Sequence, residues 1–501
     1  MKNLRYRRLL SLALLVPAAS ASSILFEGGT VISFDHTTQT PRVLQNTSIL
    51  VTDDRISAIF GADEAVTIPS NVERVPVQGK IVSPGFVDTH RHGWQTAYKT
   101  LGSNTTLAEY FVRYGEFSQA GTVFTADDVY YGQLAGIYEA LNAGVTSILD
   151  HAHSTWSPET SSASLNASLD SGIRMWWCYA FHDLTNGFSV QDQIANFQEL
   201  LQDDRLLQSV VEMGIAYDGF SSASSEEIQS VINLAKNSNI SAFTSHFLGG
   251  PWFYANSPSL LNSLDFLNTT FPIVLSHASF ISAEDAMLLR QTNQYISTTP
   301  ESELHYGHDH QHSAFIQDQA ALGVDTHFTY STDIITQARL WLQSIRLKFY
   351  QQTLNNWEIA RNSPMSANQA FLLATRSGGL ALRRPDIGVL EVGAKADIVV
   401  FDGSSPNMLG WSDPVAAVIL HSNVGDVEHV LVDGEWRKRD RQLVLKQNRT
   451  EIEQRFLESA RRIQDIWMQT PLPDLQGDFQ PGVPYATAYS VDVVRGNETG
   501  Y

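Results

Sequence analysis

Three stretches of the chain differ in how apolar and polar positions alternate. From residue 24 to 80 short runs alternate with period two: ILFEGGTVISF, TSILVTDDRISAIF and VERVPVQG, each bounded by turn residues. The same pattern returns at 386–440 in GVLEVGAKADIVVFD, AVILHSN and VEHVLVDGEWRKR. Two β segments so far apart in sequence predict one small β-sandwich domain built from both, with the intervening chain inserted between them. Within the insertion, strand-like runs alternate with helical periodicity. Eight runs are read: 81–90, 145–153, 173–181, 209–218, 241–247, 272–278, 294–300 and 326–333 (THFTYSTD). Ser, Thr or Asp precedes most of the helical segments, in N-cap position. Eight β/α units predict an α/β fold, a TIM (β/α)8 barrel, in preference to an open doubly wound sheet. A helix is expected after residue 446 (RTEIEQRFLESARRIQDIWMQ), followed by an extended tail beyond Pro471.

The first residues break this grammar. Lys2, Arg5, Arg7 and Arg8 precede an apolar run, Leu9 to Ala19, and then Ala19-Ser20-Ala21. Together they read as a secretory signal peptide cut after Ala21, too short to span a bilayer. The expected organisation is a signal peptide at 1–21, a first β part at 22–80, the catalytic barrel at 81–385, a second β part at 386–445, and a helix and tail at 446–501. A secreted or lumenal protein follows. Sequons at Asn46, Asn104, Asn166, Asn239, Asn268, Asn448 and Asn497 fit that route as glycosylation candidates.

Composition narrows the function. The 501 residues carry 33 Lys and Arg against 53 Asp and Glu, a net charge of −20, which disfavours nucleic acid and anionic membrane surfaces as partners. The single cysteine, Cys178, excludes an intrachain disulfide and a thiolate metal cluster. The expected partner is a small-molecule substrate.

The chemistry lies in histidines and carboxylates at strand ends. In an extended segment His90 and His92 face the same side and can grip one ion. His246, His277 and Asp333 end three further runs, and in a barrel all these ends converge on one mouth. Imidazoles plus a carboxylate suit Zn²⁺, with Fe²⁺ as the alternative. Asp150, His151 and His153 end the second run and are placed behind the ligands or against substrate. Gln95, Glu301 and His305 are further substrate-binding candidates, and His308, His310 and His312 extend the last of these into a histidine-rich loop.

PGFVDTHRH, LSHASF, STD and GVLEVGAKADIVVFD resemble the amidohydrolase superfamily, in its cytosine deaminase and chlorohydrolase-like branch, over roughly residues 24–440. The resemblance implies a barrel flanked by a small β domain, and a homodimer as the assembly. It assigns the metal to His90, His92, His246 and Asp333, and the hydrolytic water or substrate to His277. Many members bridge two metals with a carboxylated lysine on strand four. SVVEMGIAYD holds none, so one metal is expected. The deaminases carry a Glu three residues after the strand-five histidine that protonates the ring nitrogen; here that position is Gly249. The main expectation is therefore a secreted mononuclear hydrolase of a non-peptide C–N bond (amide, lactam or amidine-like), in which Asp333 takes the proton of a metal-activated water. The alternatives are a heterocycle aminohydrolase using a displaced acid such as Glu301, a metal-assisted lyase or isomerase, and a non-catalytic binding protein.

Overall fold

The computed structural model describes residues 22–308 and 312–491. The proposed signal peptide, His310 and Asn497 lie outside them.

The period-two segments form one sheet. Strands β1 (Ser23–Asp35), β2 (Thr40–Thr52), β3 (Arg55–Gly61), β4 (Glu73–Pro76) and β5 (Ile81–Pro84) come from the first part. The insertion then contributes eight strands: β6 (Phe86–Arg91), β7 (Val145–Ala152), β8 (Arg174–Phe181), β9 (Val211–Tyr217), β10 (Phe243–Phe247), β11 (Ile273–His277), β12 (Tyr295–Thr298) and β13 (Ala320–Leu322). The second part supplies β14 (Ile398–Phe401), β15 (Val427–Val432), β16 (Glu435–Arg439) and β17 (Gln442–Leu443). In the outer sheet the order is β17-β16-β15-β14-β5-β1-β2-β3, with β4 against β1. Its register brings Ile81 and Val82 of the first part against Phe401 and Val400 of the second, so the two distant segments complete one another. Their apolar face closes on Phe26, Ile49, Val82, Ile398, Val400 and Leu431.

The run at 81–90 splits at Gly85: its first half stays in the outer sheet and its second begins the barrel. A Cβ at Gly85 would lie 2.0 Å from Thr146 Oγ1, so only glycine lets the chain cross between layers there.

Strands β6 to β13 pair in chain order, all parallel. Most are buried on both faces, as parallel strands under a ring of helices must be. On β8 the alternation is clean: Trp176, Cys178 and Ala180 fill the barrel interior, while Trp177, Tyr179 and Phe181 pack outward against the helices. The ring closes where Val324 and Asp325 donate their N–H groups to the His90 carbonyl at 3.0 and 2.8 Å. The fold is thus a TIM barrel with a flanking sheet. Reciprocal caps start its helices, among them Thr125 with Asp128, Ser189 with Asp192 and Ser282 with Asp285.

The eighth strand differs from expectation. It is Ala320–Leu322, and residues 326–333 form the loop after it. Three residues of Ala and Leu carry little β propensity, whereas THFTYSTD is rich in Thr and aromatics and reads as the better strand.

The C-terminal helix runs Arg449–Gln469 and starts at Asn448, whose side chain accepts from the Thr450 and Glu451 N–H groups. Ile452, Ser459, Ala460, Ile463 and Trp467 form its buried stripe. The last three enter a cluster with Trp94, Tyr98, Phe124 and Trp156 beside the barrel mouth.

Candidate metal centre

The donor groups are set by strand ends whose backbones are already fixed by the barrel ladder. His90 is the last residue but one of β6 and is fully buried; its Nδ1 meets Ser276 Oγ at 2.7 Å. His92 follows β6 and donates Nδ1–H to the His151 carbonyl at 2.9 Å. His246, near the end of β10, places Nδ1 2.7 Å from Asp218 Oδ2. His277 ends β11 in a left-handed conformation, φ 72°, with Nδ1 3.0 Å from Thr299 Oγ1 and 3.3 Å from Glu303 Oε1. All four rings are therefore held from behind through Nδ1, and their Nε2 atoms converge.

Asp325 supplies the carboxylate. Its Oδ1 lies 3.4 Å from His90 Nε2 and 3.2 Å from His92 Nε2, while Ser302 Oγ donates to Oδ2 at 2.5 Å. Donor atoms of His90, His92 and Asp325 lie within 4.8 Å of one another, as do those of His90, His246 and His277.

A cation fits this arrangement. The His151 carbonyl can only accept, so His92 must carry its proton on Nδ1 and present a lone pair at Nε2. His246 Nε2 faces that lone pair at 3.3 Å. His90 Nε2 is buried and makes no hydrogen bond. Burial drives His90 well below the ordinary histidine range, which keeps it a neutral ligand. Burial also pushes His246 down, but the Asp218 carboxylate more than offsets this and holds it at about 8. Burial would raise Asp325, yet the imidazoles of His90 and His92 hold it well below the usual carboxylate range. Buried nitrogen and oxygen donors that converge in this way define a site for a divalent metal.

The expected residues are placed as follows. His90, His92, His246 and His277 come together. Asp333 does not: it caps the helix Ile334–Asn355, accepting from Thr336 N at 2.6 Å and bonding Ser331. It lies outside the donor cluster, because the eighth strand ends at Leu322 and the carboxylate beside the imidazoles is Asp325. Glu301 is bonded to Gln337 through its N–H and Oε2 and does not line the pocket. Gln95 points away, donating to Tyr110 Oη and the Tyr114 carbonyl, each at 3.0 Å. His305 meets Tyr306 edge-on, outside the pocket. His153 does line it, stacked on His92 at 3.9 Å with Trp94 donating to its Nδ1. Asp150 accepts from Gly93 N and Gln133, bracing the turn after His92.

Three residues were missed. Asp325 ends AALGVD, a run signalled only by its apolar character. Asp218, the carboxylate behind His246, directly follows β9 and ends its run, as the ligand residues end theirs, which was the available signal. Glu116 sits in a loop between a short helix and the next segment, where no periodicity marks it.

Opposite the donors, the pocket is walled by Tyr110, Phe111, Glu116, Tyr254, Tyr306 and His308. It adjoins an outer cavity of about 710 Å³ that shares Glu116 and Tyr254 and is bordered by Trp252 and Phe479. Phe479, from the tail, stacks against Phe111 and meets Trp252 edge-on.

A parallel barrel with imidazoles and a carboxylate converging at its C-terminal mouth defines a barrel metalloenzyme. The model of the amidohydrolase family matches residues 81–437, and the chain belongs to that family, metal-dependent hydrolases acting on carbon–nitrogen bonds. It is similar to 5-methylthioadenosine/S-adenosylhomocysteine deaminase of Acetivibrio thermocellus, 22% identical over 410 residues covering 80% of this chain and 91% of the relative. It is also similar to 5′-deoxyadenosine deaminase of Methanobrevibacter smithii, at 25% over 431 residues, covering 79% and 89%. A zinc-bound adenosine deaminase from Xanthomonas campestris shares the fold with a TM-score of 0.74, at 18% identity, over 90% of this chain and 99% of that one.

Proposed function

We propose that the protein is a Zn²⁺-dependent aminohydrolase that releases ammonia from an aminated heterocycle of the adenosine type. The observation that carries this reading is the pocket itself: a converging imidazole and carboxylate set faced by the flat walls of Tyr110, Phe111, Tyr254 and Tyr306. Such walls take a planar ring by stacking. The deaminases to which the chain is similar act on adenine nucleosides by their names, which favours this reading over amide or lactam hydrolysis.

When bound, the metal lowers the pKa of water towards about 7 and polarises the bond under attack. The chain's own residues do the rest. Asp325, held ionised by its imidazole neighbours, can accept a proton from water and pass it to the departing nitrogen. His277, fixed through Thr299 and Glu303, orients water on the open side. The aromatic walls exclude bulk solvent. We also propose that the protein works in the secretory route; in support, Asn46, Asn104, Asn239, Asn268 and Asn448 are exposed.

The test is ammonia release by the Zn²⁺-loaded protein from adenosine, 5′-methylthioadenosine and 5′-deoxyadenosine, beside a panel of amides and lactams. Turnover of a nucleoside that a chelator abolishes and Zn²⁺ restores is the expected result. Turnover confined to the amide and lactam panel would replace this reading with the simpler hydrolase.

A further inference from the structure

The aminohydrolase reading leaves one group unassigned, the acid that protonates the ring nitrogen, and the structure shows why position 249 cannot supply it. Gly249 has φ 76° and ψ −170°, a region open in practice only to glycine. A Cβ there would lie 3.0 Å from Phe280 Cβ. The other carboxylates near the rings are engaged behind them: Asp218 on His246, Glu303 on His277 and the Thr299 N–H. Among the described residues that line the inner pocket, the carboxylates are Asp325 and Glu116.

Resting on that reading, we propose that Glu116 is the proton-relay residue of the site, reaching it from the loop after the short helix Leu107–Arg113. Its Oε2 lies 3.9 Å from His153 Nε2, in the lining of the inner pocket, and its side chain is 12% exposed. His92, His246 and Asp218 act on it by charge, and Tyr110 and Tyr254 face it from two other segments. Burial raises its carboxyl above the ordinary range, as a proton donor near neutrality requires. The loop is anchored rather than loose. Trp156 Nε1 donates to the Glu116 carbonyl at 2.8 Å, and Arg113 is gripped by the carbonyls of Trp467, Thr470 and Pro471.

The step balances with water as the sole co-reactant. Water oxygen bonds the ring carbon bearing the amino group. Glu116 gives its proton to the adjacent ring nitrogen and is reprotonated from that water. The second water proton passes to the amino nitrogen, the C–N bond breaks, and ammonia leaves a ring lactam.

The experiment compares wild type, Glu116→Gln and Glu116→Ala, with Glu301→Gln as control, all as full chains. The first readout is ammonia release from the nucleosides above. Glu116→Gln is expected to lose about 10²–10⁴-fold in kcat, with KM and bound metal nearly unchanged, and Glu301→Gln to match wild type. The second readout needs no substrate. In the Co²⁺-loaded protein, the pH midpoint of the visible spectrum should move by about one unit in Glu116→Gln and stay in place in Glu301→Gln. A Glu116→Gln variant with kcat within about threefold of wild type, or a superimposable Co²⁺ titration, overturns the proposal. Absence of ammonia release by wild type together with a shifted midpoint would overturn the aminohydrolase reading while upholding Glu116 as a proton-relay group of the pocket.

Discussion

The two sides of the pocket are built differently. On one side four imidazoles stand on barrel strands or directly after them, each tied through Nδ1 to a neighbour in the next layer. On the other side Glu116, Tyr254 and Tyr306 come from loops and short helices, held by side-chain anchors such as Arg113 and Trp156. The first side fixes a geometry that metal binding demands within tenths of an ångström. The second decides what lies against the metal, and it is free to change without disturbing the ladder.

That contrast makes sharp predictions. The largest effect is expected at Asp325: Asp325→Asn removes the charge facing His90 and His92 and should abolish both metal retention and turnover, measured by metal analysis after dialysis. Asp333→Asn, by comparison, should keep the metal. Asp218→Asn leaves the ligand set whole but deprives His246 of its backing carboxylate. Metal affinity should fall about 10–100-fold in a competition titration. Gly249→Ala should cost about 1–3 kcal/mol in denaturant unfolding through its backbone conformation, with the metal still bound. Equal metal loss in Gly249→Ala and Asp218→Asn would erase the distinction between the two sides. The smallest effect belongs to Asp333→Ala, which removes a helix cap and should cost about 0.5–2 kcal/mol with activity retained.

The same contrast explains what could be read from sequence. Strands rich in β-branched or aromatic residues, such as β6, β10 and β11, declare themselves, and with them His90, His246 and His277. Where the strand shrinks to Ala320–Leu322 the apolar signal is too short to outweigh THFTYSTD, and the carboxylate was assigned eight residues late, to Asp333 rather than Asp325. Glu301 was named as the candidate acid and Glu116 was not, and only the fold tells them apart: one is bonded to Gln337, the other faces His153. A loop residue owes its position to anchors distant in sequence, and no local period records those.

One such anchor lies at the far end of the chain. Trp467 Nε1 donates to the Arg113 carbonyl at 2.7 Å, and Arg113 returns bonds to the backbone of the last helical turn and beyond. During translation the barrel strands emerge first and can pair as they appear, whereas this clasp exists only after the last helix has left the ribosome. The imidazole cage can therefore be assembled on a nascent chain before its facing wall has any support, so metal competence would precede chemical competence in the life of each molecule.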